Sequence, residues 1–276
     1  TSQQLERLLA ELETGKDAIV LASGMSAATA TFMTLKSGDH VVVQTVMYWA
    51  IKKWLEGFAN QWGISLDFFD PEDISNLKKL IRPGETKIVW IETPANPTFS
   101  CVDIEKVAKI VKGSGARLCV DSTIATPILT RPIELGADLV MHSATKYLNG
   151  HGDVTAGVLI TAREDEWWDQ IRDIRSSHGK ILSPSDTWLL LRGIRTLDLR
   201  VRKSCESAMA IAKHFEFNSK ISKILYPGLD STKTHIIASK QMMGGFGGML
   251  SIRFKGGKPE AIKIAAKLKI FKRATS

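Results

Sequence analysis

An open, mostly parallel α/β sheet covered by helices on both faces is the fold this chain predicts, and three features of the sequence predict it. Short apolar runs alternate with helical patterns along the first two thirds of the chain. Most runs are apolar throughout, as strands buried on both faces require, and glycine, proline or small polar residues punctuate their ends. At 276 residues and 44% hydrophobic the chain can bury a full core. It is long for one domain, so a large domain plus part of another is expected.

The elements follow in order. Leu5, Leu8, Leu9 and Leu12 repeat at helical spacing, and Thr14-Gly15 closes that helix with the glycine expected after a C-terminus. Ala18 to Ala22 reads as a strand, Ser23-Gly24-Met25-Ser26 as a turn and Ala27 to Leu35 as a helix. A strand, a glycine turn and a helix start in that order leave free N–H groups and a positive dipole end, which together suit an anion. The alternation continues with a strand over His40 to Gln44, a helix over Ile51 to Gln61, a strand over Leu66 to Phe69, a helix over Ile74 to Ile81 and a strand over Lys87 to Ile91. Ile104 to Val111 is a helix, and Arg117 to Val120, Ala137 to Met141 and Gly157 to Ile160 are the remaining strands of a doubly wound domain.

From Ser183-Pro184 the pattern changes. Helices are expected at Trp188 to Leu191 and Cys205 to Phe215, a strand at Lys223 to Tyr226, an alternating strand at Met249 to Phe254 and a helix at Ala261 to Leu268. The division predicted is 1–197 for the large domain and 198–276 for a smaller C-terminal α+β domain. The chain starts inside a helical pattern and stops without a closing element, so it is expected to be a fragment of a longer protein. The run Gly244 to Gly248 precedes a strand and is therefore no dinucleotide fingerprint.

Composition narrows the function. The net charge of +8 is spread along helices apart from a modest cluster at Arg192 to Lys203, which argues against a nucleic-acid partner. Cys101, Cys119 and Cys205 lack any C-x-x-C pairing, which argues against a disulfide framework or a zinc site and for a reducing, cytoplasmic compartment. No apolar run approaches the roughly 20 residues that span a bilayer, so no membrane role is expected.

Ligands of such sheets bind at the C-terminal ends of the strands, and special residues collect there: Gly24 and Met25, Tyr48, Asn96, Asp121, and Ser143 to Lys146. Lys146, with the hydroxyls of Ser143 and Thr145 beside it, is expected to carry a cofactor, because a lysine amine becomes nucleophilic when burial or nearby cations lower its proton affinity. Asp121 could cap a loop or face the cofactor. Tyr48 could pack or stack on a ring, and Asn96 could turn the chain before Pro97 or donate to the cofactor. His142 and His151 are expected to be structural, each satisfying a local backbone bond.

Together these residues carry a resemblance. Ser23-Gly24-Met25-Ser26-Ala27, Glu92-Thr93-Pro94-Ala95-Asn96-Pro97, Asp121-Ser122-Thr123, His142-Ser143-Ala144-Thr145-Lys146-Tyr147, Leu190 to Leu197 and Gly245-Phe246-Gly247-Gly248-Met249 closely resemble the Cys/Met-metabolism family of pyridoxal-phosphate enzymes, along essentially the whole chain and in order. The resemblance implies a fold-type I transferase. In it Lys146 is the Schiff-base lysine, Asp121 the partner of the pyridine nitrogen, Ser143 and Thr145 the phosphate hydroxyls, and Gly24 and Met25 the phosphate amides. Tyr48 stacks on the ring and assists proton transfer, Asn96 meets the ring oxygen, and Ser276 lies near the substrate carboxylate. The implied partners are a small amino-acid substrate and further copies of the chain, in a homotetramer of dimers that share active sites.

For activity the resemblance implies elimination or replacement at Cγ, or Cβ, of a sulfur amino acid, first as a methionine or cystathionine γ-lyase. The alternatives are a synthase adding a thiol to an O-acylhomoserine and, remotely, a non-catalytic scaffold. Two departures point in different directions. Tyr48 is followed by Trp49-Ala50-Ile51 where the family usually has Gly-Gly-Thr or Gly-Cys-Thr, whereas Gly150 to Gly157 is similar to the methionine γ-lyase version.

Overall fold

Alternation of apolar strands with amphipathic helices becomes, in the computed structural model of the protein, a seven-stranded sheet with helices on both faces, described here over residues 2–271. The large sheet and its helices are built from α1 (Ser2–Leu12), β1 (Asp17–Leu21), α2 (Gly24–Phe32), β2 (His40–Gln44), α3 (Trp49–Trp62), β3 (Ser65–Phe69), α4 (Leu77–Leu80), β4 (Thr86–Glu92), α5 (Ile104–Val111), β5 (Arg117–Asp121), α6 (Thr126–Leu129), β6 (Leu139–His142), β7 (Gly157–Thr161) and α7 (Glu166–Ser177). There follow α8 (Pro184–Ile194), α9 (Leu197–Phe215), β8 (Ile221–Leu225), α10 (His235–Gln241), β9 (Ser251–Phe254) and α11 (Gly257–Lys267).

Strand order in the large sheet is β1-β7-β6-β5-β4-β2-β3. The strands β6, β5, β4, β2 and β3 are mutually parallel, and β7 runs antiparallel to both its neighbours, β6 and β1. Every strand except β7 therefore points the same way, and their C-terminal ends share one edge. The burial runs are continuous, as in β2 and β7 where every residue is buried, because helices cover both faces. Trp90 of β4 is fully buried and packs on Phe32 of α2 with ring centroids 5.0 Å apart.

Several local expectations change. Thr14, not Gly15, takes the left-handed conformation after α1, with φ 58°; Gly15 is required because a Cβ there would run into Ile160. The helix expected over residues 74–81 is a 3₁₀ turn, Ile74–Asn76, followed by the single turn α4, since Asp73 caps Ser75 and only Leu77 is buried to hold more. Besides the single turn α6, two helices escape the sequence reading, α7 and α10. The first has Trp168 and Ile171 as its buried contacts and a strongly polar remainder, and the second buries only Ala238 and Gln241. The alternating strand begins at Ser251 rather than Met249.

Beyond α7, β8 and β9 pair antiparallel in a separate two-stranded sheet. Helix α9 serves two cores. Leu197, Val201 and Cys205 pack with Leu148, Val154 and Leu190, whereas Ala208 and Ala212 pack with Ile224, Tyr226 and Leu229.

One glycine sets how closely α2 approaches the sheet. Gly157 opens β7 against the Ser23 carbonyl, and a Cβ on it would strike that carbonyl backbone and also lie 2.9 Å from Ala27 Cβ. The Gly157→Ala substitution is expected to lower unfolding free energy by about 1–3 kcal/mol through overpacking, read from the shift of the urea midpoint.

Candidate active site at the strand ends

The shared edge gathers the residues singled out above. Ser23 precedes α2 in an extended conformation, and its Oγ accepts from Ser26 N at 3.0 Å while its carbonyl accepts from Ala27 N at 3.0 Å. Gly24 N and Met25 N are left with no backbone acceptor among the described residues. Ser143, after β6, lies against them: a Cβ built on Gly24 would be 2.8 Å from both Cβ and Oγ of Ser143. Only glycine allows that approach. Met25 turns its half-buried side chain into the core beside Met47 and Ile51 and so offers the edge its backbone.

Asp121 ends β5, is 5% exposed and stands in register with Met141 of β6 and with Glu92 of β4. Its Oδ1 accepts from Thr123 N at 3.0 Å and Thr123 Oγ1 at 2.5 Å, and Thr123 Oγ1 in turn accepts from Ser143 N at 2.8 Å. Asp121 is thus a loop-capping aspartate whose second oxygen, Oδ2, takes no hydrogen bond from the described residues. Burial pushes its carboxyl up, opposed by the Thr123 bonds. A buried carboxylate with one free oxygen suits a cationic donor such as a protonated ring nitrogen.

Glu92 escapes the sequence reading as a site residue, because it reads as the first loop residue after the strand Lys87 to Ile91, whereas β4 runs on to include it. Its two oxygens bridge two loops: Oε2 accepts from Tyr48 N at 2.7 Å and Oε1 from Asn96 N at 3.1 Å. Gln44 holds the Glu92 backbone from the neighbouring strand, donating to its carbonyl at 3.0 Å and accepting from its N–H at 3.0 Å. Tyr48 and Asn96 are therefore brought together through one carboxylate. Burial, and secondarily the Asp121 charge, push the Glu92 carboxyl up to about 8. An acidic residue closing a strand next to a second strand-end acid is the sequence signal that could have identified it.

Other placements are less convergent. Thr145 Oγ1 donates to Ala156 O at 3.2 Å and accepts from Ala156 N at 3.0 Å, so its hydroxyl proton is committed within its own loop. Lys146 is exposed although Ala144 and Leu148 of the same turn are buried, and its Nζ makes no hydrogen bond among the described residues. Asn96 is also exposed. Trp49 is 68% exposed and tilts against Tyr48 with ring centroids 6.1 Å apart, so it does not fill the core. His151 Nδ1 meets its local backbone at Asn149 O, 2.6 Å away, but His142 pairs with the side chain of Glu13 at 2.6 Å, both groups being 1% exposed. Ser276 lies outside the described residues.

Fold and site define a class: an α/β enzyme with a phosphate-sized group of donors at a helix N-terminus, a buried carboxylate and an exposed lysine on one sheet edge. The family profile described as "Cys/Met metabolism PLP-dependent enzyme" matches residues 1–276, and the chain belongs to that family. Pyridoxal phosphate is its cofactor. The chain is 38% identical to a probable cystathionine gamma-synthase of Herpetosiphon aurantiacus over 98% of its own length and 84% of the relative's. It is 39% identical to an L-methionine gamma-lyase of Pseudomonas putida (100% of this chain, 69% of the relative) and 39% to a cystathionine gamma-lyase of Bacillus subtilis (100% and 72%). The crystal structure of metB from Corynebacterium glutamicum superposes with a TM-score of 0.95 at 37% identity, over 99% of this chain and 70% of that one. The residues present fit the cofactor, since free amides and a hydroxyl stand where a phosphate needs donors, and Asp121 keeps an oxygen for the ring.

Glu92 yields a signed pH dependence. Its folded carboxyl binds a proton more tightly than its unfolded one, so its contribution to stability is fully present below the usual glutamate range and is lost as pH rises toward about 8. Glu92→Gln cannot ionise. Urea midpoints of the cofactor-free protein at several pH values are expected to fall more steeply for wild type than for the variant as pH rises from about 5 to about 8, with no further divergence above that range.

Proposed function

We propose that the chain forms the pyridoxal-phosphate site of an enzyme that breaks or exchanges a carbon–sulfur bond at Cγ, or Cβ, of a sulfur amino acid, with methionine or cystathionine γ-elimination as the first reading. The observation that carries it is the meeting of free Gly24 and Met25 amides, Ser143, Asp121 and Lys146 on one sheet edge in a chain of this family. When bound, pyridoxal phosphate supplies the electron sink that stabilises negative charge at the substrate Cα.

The chain's own residues then divide the remaining work. Gly24 N, Met25 N and the Ser143 hydroxyl receive the phosphate, with Thr145 joining once its hydroxyl turns from Ala156. Asp121 Oδ2 would accept a hydrogen bond from the ring N–H and so keep the proton on the ring nitrogen. Tyr48 covers a ring face and places its hydroxyl for proton transfer, and Asn96 donates to the ring oxygen. Lys146 Nζ would hold the cofactor and, as a free amine, would take the proton from the substrate Cα. The resemblance assigns Ser276 to the substrate carboxylate. The scaffold reading is set aside, because the family is enzymatic and a scaffold needs neither an exposed lysine nor a buried aspartate with a free oxygen.

Synthase chemistry on an O-acylhomoserine is the second reading, favoured by the Herpetosiphon relative, of which this chain covers 84%. The large domain is taken to end near residue 197, where α8 gives way to α9. Three free, buried cysteines support a reducing, cytoplasmic setting, and no helix of the described residues is long and apolar enough to cross a membrane. The homotetramer of dimers with shared sites rests on the resemblance alone. Light scattering on the eluting full-length protein tests it, and a fully active monomer would refute the shared sites.

Two measurements test the chemistry. Lys146→Ala is expected to cut turnover by about 10³-fold or more while leaving the circular dichroism spectrum unchanged; undiminished turnover would refute the assignment. Mass spectrometry of products from methionine, cystathionine, homocysteine, and O-acylhomoserine with cysteine separates the readings. Release of 2-oxobutyrate from methionine or cystathionine establishes the lyase, and cystathionine formed without a keto acid establishes the synthase.

A further inference from the structure

Lys146 sits on a turn that its own backbone closes in part. Lys146 N donates to Ser143 O at 3.0 Å, Asn149 N to Ala144 O at 3.0 Å and Gly150 N to Lys146 O at 2.7 Å. The carbonyls of Tyr147 and Leu148, directly after the lysine, receive no backbone N–H among the described residues. Both are met by one guanidinium from the second turn of α9. Arg200 Nη1 donates to Tyr147 O at 2.8 Å and Nη2 to Leu148 O at 3.5 Å.

The other side of the same guanidinium is anchored where α8 joins α9. Nη2 also donates to Gly193 O at 2.8 Å, and Nε donates to Thr196 Oγ1 at 3.0 Å. Two glycines make room for this arrangement. Gly150, at φ 68°, is where a side chain would collide with the Arg200 guanidinium, and a Cβ on Gly193 would run into the Asn149 carbonyl. Helices α8 and α9 thus approach the lysine turn backbone to backbone, with Arg200 bridging the contact. The motif Leu190 to Leu197 and the arginine that follows it have no place among the groups assigned to the cofactor, yet they hold the segment that presents Lys146.

We propose that Arg200 is a positioning residue for Lys146, clamping the carbonyl end of the Ser143–Gly150 turn to the α8–α9 joint so that the lysine side chain is presented from a fixed backbone. This rests on the reading of Lys146 as the cofactor lysine. The planar guanidinium is suited to the task because it directs several N–H groups at carbonyls on two elements at once, whereas an ammonium is a point donor that reaches fewer of them. Loosening the turn misplaces the lysine relative to Asp121 and Ser143, and small misplacements of a reacting group carry large rate costs.

The test compares wild type with Arg200→Ala, Arg200→Lys and Arg200→Met in the full-length protein. Hydrogen exchange of the cofactor-free form reads the clamp without relying on turnover. Amides 144–150 are expected to exchange about tenfold faster or more in the Ala and Met variants, with the β4 and β5 amides unchanged. In the cofactor-loaded protein kcat is expected to fall about 10–100-fold with KM within about threefold, and Arg200→Lys to recover part of both effects. Unchanged exchange at 144–150, faster exchange there with unchanged kcat, or faster exchange across the whole large sheet in every variant would each overturn the proposal. Failure of the lysine assignment is seen separately, as undiminished turnover by Lys146→Ala.

Discussion

Two carboxylates that cannot both be comfortable as anions, Glu92 and Asp121, end adjacent parallel strands in register and are almost fully buried. Burial raises the proton affinity of both, and the Asp121 charge adds to the rise at Glu92. The chain answers by surrounding each with N–H and O–H donors drawn from loops that have no other reason to meet. Glu92 draws in the loops after β2 and β4 through Tyr48 N and Asn96 N, and Asp121 draws in Thr123 and, through it, Ser143 after β6. Satisfying the acids therefore assembles the edge. A single oxygen, Asp121 Oδ2, is left over, and that is the atom to which a cation can be added with gain.

Close backbone approach is the second device, and it works through absent side chains. Gly157 lets the Ser23 turn settle on β7, Gly24 lets it meet Ser143, and Gly193 lets α8 meet Asn149. Gly157 and Gly193 replace a layer of side chains by direct contact between backbones, and Gly24 lets the turn close on the Ser143 side chain, so helix N-terminus, strand end and lysine turn are held close to one another. Such contacts carry no give, which is what a site of several converging donors requires.

How much of this is legible in the sequence depends on the physical origin of each feature. The doubly wound architecture is, because helices on both faces force continuous apolar runs, and His40 to Gln44 or Leu139 to Met141 display them. Asp121, Ser143 and Lys146 are visible because they break such runs where the fold places ligands. Glu92 is not, since nothing local distinguishes a carboxylate that bridges two loops from one that merely ends a strand; its role exists only through Tyr48 and Asn96. Helix α7 is obscured because its few buried residues sit among charges, and the Thr14 turn because glycine next to it is the better local candidate. There tertiary contact decides, with Ile160 excluding a side chain at Gly15.

Lys146 shows why the difference between expected and observed burial matters. Nothing among the described residues hydrogen-bonds Lys146 Nζ, and the backbone of its turn fixes the root of the side chain. The precision of the side chain then has to be inherited from the turn that bears it. That turn leaves the Tyr147 and Leu148 carbonyls without a backbone donor among the described residues, and the guanidinium that reaches both comes from a different part of the chain. The arrangement suits a group that must exchange one bond for another in each cycle, because the side chain stays free to swing while its root does not move. Rigidity then lies in Arg200, Gly150 and Gly193, which hold the root of the lysine, and the rotatable side chain beyond it supplies the movement.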